Sequence, residues 1–193
     1  MKDNFSAHTV DNESIGMKMM ENCGASMHVV GEITDKITHA NGRVEVITGH
    51  NLVVNSFAKL IMALCKNQQG YSGIQYWAVG SGSADWDTTP VDPTNLETHL
   101  VSEIGRVAID PSEITFLDNS YQQSDVPTNI IQIKHMFNEE DCNGKWREFG
   151  LFGGNATSDA NSGIMVNKKH HAVITKTAEM TIERTMRFTI NLV

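Results

Sequence analysis

Apolar and polar residues alternate along much of the chain, the period-2 pattern expected of strands that bury one face. The clearest case is the last stretch, where Ile182, Met186 and Phe188 face one side and polar residues the other. Gly, Asn, Asp and Pro separate most of these stretches, as turn residues do. Strands are predicted over residues 27–37, 43–54, 74–79, 106–109, 113–117, 128–137, 146–152, 163–168, 172–176 and 180–193.

The first two strands flank the dipeptide Asn41-Gly42, which tolerates positive φ angles. Such a pair between two β-branched stretches is typical of a two-residue type I′ turn. The sequence therefore predicts an antiparallel hairpin over residues 27–54.

Two segments show helical spacing instead. One helix is predicted over residues 55–66, capped by Asn55 or Ser56 and ended before Gly70. A second, shorter helix is predicted over residues 95–104. Their apolar faces consist of Phe57, Leu60, Ile61, Leu64 and Cys65 in the first, and of Leu96, Leu100 and Ile104 in the second.

With 193 residues, of which 40% are hydrophobic, the chain fits one compact domain with a sizeable core. We expect an extended N-terminal arm over residues 1–25 and a single β-rich domain over 26–193. The predicted class is mainly β (α+β), an antiparallel β-sandwich-like domain with one or two short helices.

The predicted arm has no sustained period and contains Met17, Met19 and Met20. It is either a disordered terminus or a segment that orders against a neighbouring subunit through its flexible methionines. The sequence does not choose between the two.

The charge and composition of the chain limit the classes of partner that it is expected to bind. The net charge of −8 disfavours nucleic acid, whose backbone is bound by clustered Lys and Arg. No apolar stretch approaches the roughly 20 residues that cross a bilayer, and the first residues do not resemble a secretory signal. We therefore expect no membrane partner and synthesis in the cytoplasm. Three isolated cysteines, Cys23, Cys65 and Cys142, are expected to be free thiols.

Arg184 interrupts the apolar face of the last strand. A buried unpaired charge costs several kcal/mol, roughly, so the arginine needs an acidic partner. Glu148 and Glu103 are the candidates for this structural ion pair, and a ligand-binding arginine is the alternative.

Six motifs, taken in order, resemble the tail, baseplate and tail-fibre-associated structural proteins of tailed bacteriophages. The resemblance covers about residues 51–191 and implies that the protein belongs to a virion in the tail region; a neck or collar position stays open. The motifs are YWAVGSG at 76–82, EIGR at 103–106, WREFGLFGG at 146–154, GIMVN at 163–167, ITK at 174–176 and MTIERTMRF at 180–188.

Clustered acids raise the possibility of a glycoside hydrolase, which needs two carboxylates flanking the scissile bond. Glu139, Glu140 and Asp141 are adjacent, with Glu148 nearby. Neighbouring residues of a strand point to opposite faces, so these acids are better explained by an acidic hairpin loop over 138–145.

Two further sets could hold a metal. Asp85, Asp87 and Asp92 lie in an oxygen-rich loop, but their spacing is not that of a calcium loop. His170 and His171 lack further ligands at zinc spacing and are interpreted as a surface pair. We expect no metal and no cofactor, although histidines of several copies could converge at a symmetry axis.

Three tryptophans could form a platform for sugars. Trp77 and Trp146 lie in predicted strands and are expected in the core. Trp86 lies in a polar loop, where an exposed indole could contact a partner protein or a glycan.

The sequence thus favours a non-enzymatic virion subunit that forms homo-oligomers and binds other phage structural proteins through edge strands and the arm. A receptor- or glycan-binding β-sandwich is the alternative. A polysaccharide or peptidoglycan hydrolase is the third hypothesis.

Overall fold

The computed structural model describes residues 27–88 and 91–192. The predicted arm, with Met17, Met19 and Met20, lies outside the described residues. The chain divides into a large unit, Val29–Ile190, and a small one, of which only Met27–His28 and Asn191–Leu192 are described, as the ends of the first and last strands. The large unit contains the buried core.

The fold is mainly antiparallel β, as the alternating pattern predicts. Ten strands form one sheet in the order β4-β3-β8-β9-β2-β1-β10-β7-β5-β6. The strands are β1 (Met27–His39), β2 (Val44–Val53), β3 (Ser72–Gly80), β4 (Glu103–Ala108), β5 (Ile114–Leu117), β6 (Gln123–Ser124), β7 (Ile130–Phe137), β8 (Gly144–Gly154), β9 (Ile164–Lys176) and β10 (Met180–Leu192).

The sheet folds over so that its two ends face each other, as in a sandwich. Trp77 of β3 meets the ring of Phe137 of β7 edge-on, with the ring centroids 6.5 Å apart. Both side chains are fully buried. Burial of apolar area at about 25 cal/mol per Å² makes this shared core the main stabilising element. From the two facing halves the core receives Trp77, Val79, Trp146, Phe149 and Leu151, and Ile133, Phe137, Ile182, Met186 and Phe188.

The first hairpin is confirmed, but its turn type is wrong. β1 and β2 pair from Thr38↔Val44 to Gly31↔Asn51. The amide of Gly42 donates to His39 O (2.9 Å), and within this connection Gly42 alone adopts a positive φ (80°). This is a turn closed by a left-handed glycine rather than a two-residue type I′ turn, in which Asn41 would also be left-handed.

The predicted first helix is present as α1 (Ser56–Cys65), with Asn55 at its N-cap position. The Asn55 side chain makes no cap hydrogen bond; instead, the buried Ser56 hydroxyl donates to Met165 O (2.6 Å) and ties the helix start to β9. Helix α1 ends before the predicted stop, because Asn67 already has a left-handed backbone (φ 54°).

The second predicted helix, over residues 95–104, is wrong. The chain there is irregular and then enters β4 at Glu103. The amides of Val101 and Ser102 donate to the buried Glu148 carboxylate (3.0 and 2.9 Å) instead of to helical carbonyls. Of the predicted apolar face, Leu100 is buried and Leu96 is largely exposed.

The two predicted strands over residues 163–168 and 172–176 are one continuous strand, β9. Beside it, β8 is buried on both faces from Trp146 onward. Its outer face is covered by a second, smaller core, which explains why the sequence of β8 shows an apolar run rather than an alternation. That core comprises Val54, Ala78, Leu100, Phe152 and Met165.

Within the described ranges, no helix combines the length and the hydropathy that crossing a bilayer takes.

Candidate functional site

The sheet is almost interrupted between β2 and β9. Among the described residues, the two strands pair at Leu52↔Lys168 and Val53↔Asn167 and then part. Each strand remains paired on its other side, β2 with β1 and β9 with β8. Residues 44–51 of β2 and 169–176 of β9 therefore present two unpaired backbone edges, and such edges accept added strands. We call the space between these two segments the β2–β9 cleft.

A cavity of about 120 Å³ opens inside the cleft. Its walls are largely apolar and come from four strands: Ile33, Ile47, Phe149 and Ile174. This volume fits one medium-sized apolar side chain, and such a side chain would gain roughly 1.5–3 kcal/mol on burial. The cavity thus has the size and the chemistry of a side-chain pocket.

A buried ion pair lies at the cavity wall. Asp35, which lines the cavity, accepts two hydrogen bonds from Arg184, Nε to Oδ1 at 2.7 Å and Nη2 to Oδ2 at 2.6 Å. The guanidinium carbon also lies 4.1 Å from the centroid of the Phe149 ring. The planar guanidinium is held by a bidentate carboxylate and by an aromatic face, the geometry that arginine favours when buried.

His171 contributes a neutral acceptor to the cavity. Its Nδ1–H donates to Ala172 O at 2.7 Å, which leaves Nε2 as a lone-pair acceptor. Nε2 is buried and finds no hydrogen-bond partner among the described residues. Burial, followed by the nearby positive charge of Arg184, lowers the pKa of His171 to about 4. At neutral pH the ring is therefore uncharged, and Nε2 is a buried acceptor.

Asn51 marks the point where the two strands part. Both polar atoms of its side-chain amide are buried without a partner in the described structure, and the amide lies over Gly31, where a Cβ would collide with it. A second cavity of about 330 Å³ begins beside Asn51, between Leu52 and Asp92. Two cavities therefore flank the end of the β2–β9 ladder.

The rim of the cleft carries exposed apolar side chains beside the charged Glu45 and Lys169. Val46 is 62% exposed and Ile47 45%, and Val173 on the facing strand is 37% exposed. Exposed apolar side chains at a strand edge are typical of a surface that another chain covers.

The predicted ion pair of Arg184 is wrong in its partners. The arginine does lie on the buried face of β10, but it pairs with Asp35 of the adjacent β1. Glu148 pairs with Lys168 (3.1 Å), and Glu103 pairs with Arg106 (2.6 Å). The three acidic residues thus hold three separate cations.

Trp86 is buried, at 8% exposed, which corrects the expectation of a surface contact. Its ring stacks on His170, with the centroids 3.8 Å apart, and covers Gly82, where a Cβ would overlap with the indole. Gly82 has a positive φ of 51°, so its backbone and the indole both require glycine there. Trp77 and Trp146 lie in the core, as predicted.

The histidines are not a surface pair. His170 is buried against Trp86, and His171 is half-buried against Phe149. Because they are adjacent in β9, their rings lie on opposite faces of the sheet.

The acidic candidates serve structural roles or are exposed. Residues 138–143 connect β7 to β8, which are not neighbours in the sheet, so this loop is a crossover rather than a hairpin. The buried Lys176 amine donates to the carbonyls of Asn138 (2.7 Å) and Glu139 (3.1 Å) and secures it. Asp87 accepts two hydrogen bonds from Arg147, which lowers the pKa of that carboxyl.

In the parts of the chain that the structure describes, no three His, Cys, Asp or Glu side chains are grouped closely enough to hold a metal ion. Cys65 and Cys142 form no disulfide, and burial raises the pKa of the Cys142 thiol to about 11.

Alternation alone did not reveal the cleft. The sequence gives one trace of it, because Val44, Val46 and Ile47 place apolar side chains on both faces of β2. The structure leaves all three exposed.

Comparison of the chain with known protein families, with curated proteins and with solved structures found no match.

Proposed function

We propose that the protein is a structural subunit of a tailed bacteriophage virion, in the tail, baseplate or fibre-attachment region, and that it acts by protein–protein assembly. The observation that carries this proposal is the β2–β9 cleft, in which two unpaired strand edges face each other across an apolar cavity.

The cleft is suited to strand addition. An extended peptide laid between the two edges makes main-chain hydrogen bonds, and its alternate side chains enter pockets. Each such hydrogen bond contributes about 0.5–1.5 kcal/mol net, so several bonds and one buried side chain suffice for stable association. A particle that repeats this contact in many copies multiplies the effect.

The phage-like motifs support membership in a virion, and their residues have structural roles here. Trp77 and Trp146 fill the core, and Arg106 joins Glu103 to the loop at Ser162 by hydrogen bonds. These motif residues maintain the fold and do not line a binding site. That role is expected in a protein that functions as a structural subunit.

The positions of the acidic side chains that could have formed a hydrolase site support a role without catalysis. Glu148 is fully buried and saturated by Lys168 and two backbone amides, and Glu139 and Glu140 are exposed at the crossover loop. Acid–base chemistry on a glycan needs two carboxylates facing one bond. The burial of Trp86 also removes the observation that favoured a sugar platform.

The proposal is tested by the composition of purified particles. Phage particles, purified by density gradient from cells expressing a tagged copy, are expected to contain the protein at several copies per particle by quantitative mass spectrometry. A protein found in the lysate and absent from particles would overturn the proposal.

A matched pair of variants links this result to the cleft. Ile47→Lys places a charge at the cavity and is expected to lower incorporation about tenfold. Val126→Lys, at a 64% exposed position in the turn after β6, is expected to leave incorporation unchanged. Equal incorporation of the two variants would show that incorporation into particles does not depend on the cleft.

A further inference from the structure

We propose that the β2–β9 cleft receives residues 14–20 of a second copy of this chain as an added strand, with Met17 of that copy in the cavity. The inference rests on the proposed function and names the partner of the same site.

The first support is the pattern of the donor segment, which lies outside the described residues. Within the arm, which has no sustained period, Ile15, Met17 and Met19 alternate with Gly16 and Lys18 over five residues, and the apolar Met20 follows. In an extended conformation the first three share one face. Seven residues in such a conformation span about 23 Å, which matches the free edge of β2 over residues 44–51.

The second support is the fit of a methionine to the cavity. An unbranched thioether adapts to an irregular apolar space of about 120 Å³. Phe149 lines that space, and sulfur–aromatic contacts contribute about 0.3–1.5 kcal/mol. His171, whose buried Nε2 has no partner among the described residues, also lines the cavity that Met17 would enter.

The third support is the length of the donor and the place where it ends. Met17 lies ten residues before the described start of β1, and an extended chain of that length reaches up to about 35 Å. Gly31 of β1 lies at the closed end of the cleft, since Gly31 pairs with Asn51 and Leu52 pairs with Lys168. Entry into the cleft of its own copy would require the chain to reverse direction within residues 21–26, before β1 begins.

The experiment is disulfide trapping between two differently tagged full-length copies, with Cys23, Cys65 and Cys142 replaced by Ser. One copy carries Met17→Cys and the other Ala172→Cys, at an exposed residue that lines the cavity. Because each copy has a single thiol on its own side of the contact, a mixed disulfide reports exchange between copies. We expect a heterodimer band on a non-reducing gel.

Lys18→Cys is the matched control, because it moves the thiol to the opposite face of the same segment. Its cross-linking to Ala172→Cys is expected to be at least about fivefold lower. Equal yields for the two thiols, or no heterodimer, would overturn the proposal. So would a chain carrying both Met17→Cys and Ala172→Cys that closes on itself while the mixture does not cross-link.

Near-ultraviolet circular dichroism of each variant checks that the core remains intact. If trapping fails while the native protein is still present in particles, the binding of residues 14–20 to a second copy is contradicted and the proposed role in the virion is not. Absence from particles would remove the virion role.

Discussion

Arg184 shows how a single buried charge constrains its surroundings. It is fully buried, and its carboxylate partner Asp35 is 4% exposed. Removing one member of such a pair leaves the other charge desolvated and unpaired. We therefore predict that Arg184→Met lowers the free energy of unfolding by about 3–5 kcal/mol, as measured by urea denaturation.

The double variant Arg184→Met with Asp35→Leu is the control for this prediction, since apolar residues of similar size often replace a buried pair at little cost. It should be clearly more stable than Arg184→Met alone. If both proteins unfold at the same urea concentration, the ion pair does not account for the loss.

The lowered pKa of His171 predicts that the free energy of unfolding depends on pH. Its folded-state pKa of about 4 lies below the ordinary value of 6.5, so the unfolded chain binds more protons between these values. This group therefore contributes full stability above pH 6.5 and progressively less as the pH falls towards 4. By pH 5 the loss should be about 2 kcal/mol.

The measurement compares urea unfolding of the native protein and of His171→Asn at pH 7 and pH 5. An asparagine side chain at this position does not titrate, so the variant should lose about 2 kcal/mol less than the native protein over this range. Parallel losses in both proteins would assign the pH dependence to other groups.

At the scale of single residues, the sequence predicted environments better than partners. The burial of Trp77 and Trp146 follows from their places in predicted strands, and that of Arg184 from its place on the apolar face of an alternating strand. The pairing of Arg184 with Asp35 does not, because it depends on β1 lying next to β10, and the two residues are 149 positions apart in the chain. Local periodicity contains no information about that adjacency.

At the scale of elements, the segment over residues 95–104 shows how helical spacing can mislead. Leu96, Leu100 and Ile104 recur every four residues, but Leu100 alone of the three is buried. Glu148 takes the amides of Val101 and Ser102, so a side chain on a distant strand replaces the helical hydrogen bonds. Tertiary contacts here override a weak local preference.

Lys168 is predicted to hold this segment in place. It is fully buried, pairs with Glu148 and Glu97, and donates to His99 O (3.2 Å). Lys168→Met should speed amide hydrogen exchange of residues 99–102 by about tenfold or more. The substitution removes the hydrogen bond to His99 O and leaves Glu148, which accepts from the amides of Val101 and Ser102, without its buried cation.

Hydrogen-exchange mass spectrometry measures this effect. Lys169→Met, at the half-buried neighbouring residue, provides the matched comparison and is expected to leave exchange of that segment unchanged. Similar exchange in the two variants would show that Lys168 does not secure the segment.

At the scale of the whole molecule, the first and last strands complete the sheet together. β10 lies between β1 and β7, and it supplies Ile182, Met186 and Phe188 to the core. Removal of residues 180–193 would expose that core and leave Asp35 without its cation. We predict that this truncated protein is insoluble on expression, as measured by the soluble fraction, and a soluble protein with native near-ultraviolet circular dichroism would contradict the prediction.

The strand content of the molecule was accessible from the sequence, and the cleft was not. Alternation, or an apolar run between turn residues, located nearly every strand within a few residues, because the apolar pattern of a strand is a local property. The cleft arises from the order of strands and from the short ladder between β2 and β9, which depend on pairings between distant segments. An unpaired strand edge does not change the alternation of side chains, so the sequence pattern does not reveal it.

The short ladder also makes the molecule mechanically uneven. Leu52↔Lys168 and Val53↔Asn167 join β2 to β9, whereas β1 and β2 are paired over eight positions. Under a tensile load across the sheet, the two pairs between β2 and β9 would therefore break before the pairs between β1 and β2. A peptide bound between β2 and β9 would add hydrogen bonds to both strands and raise the force at which they separate.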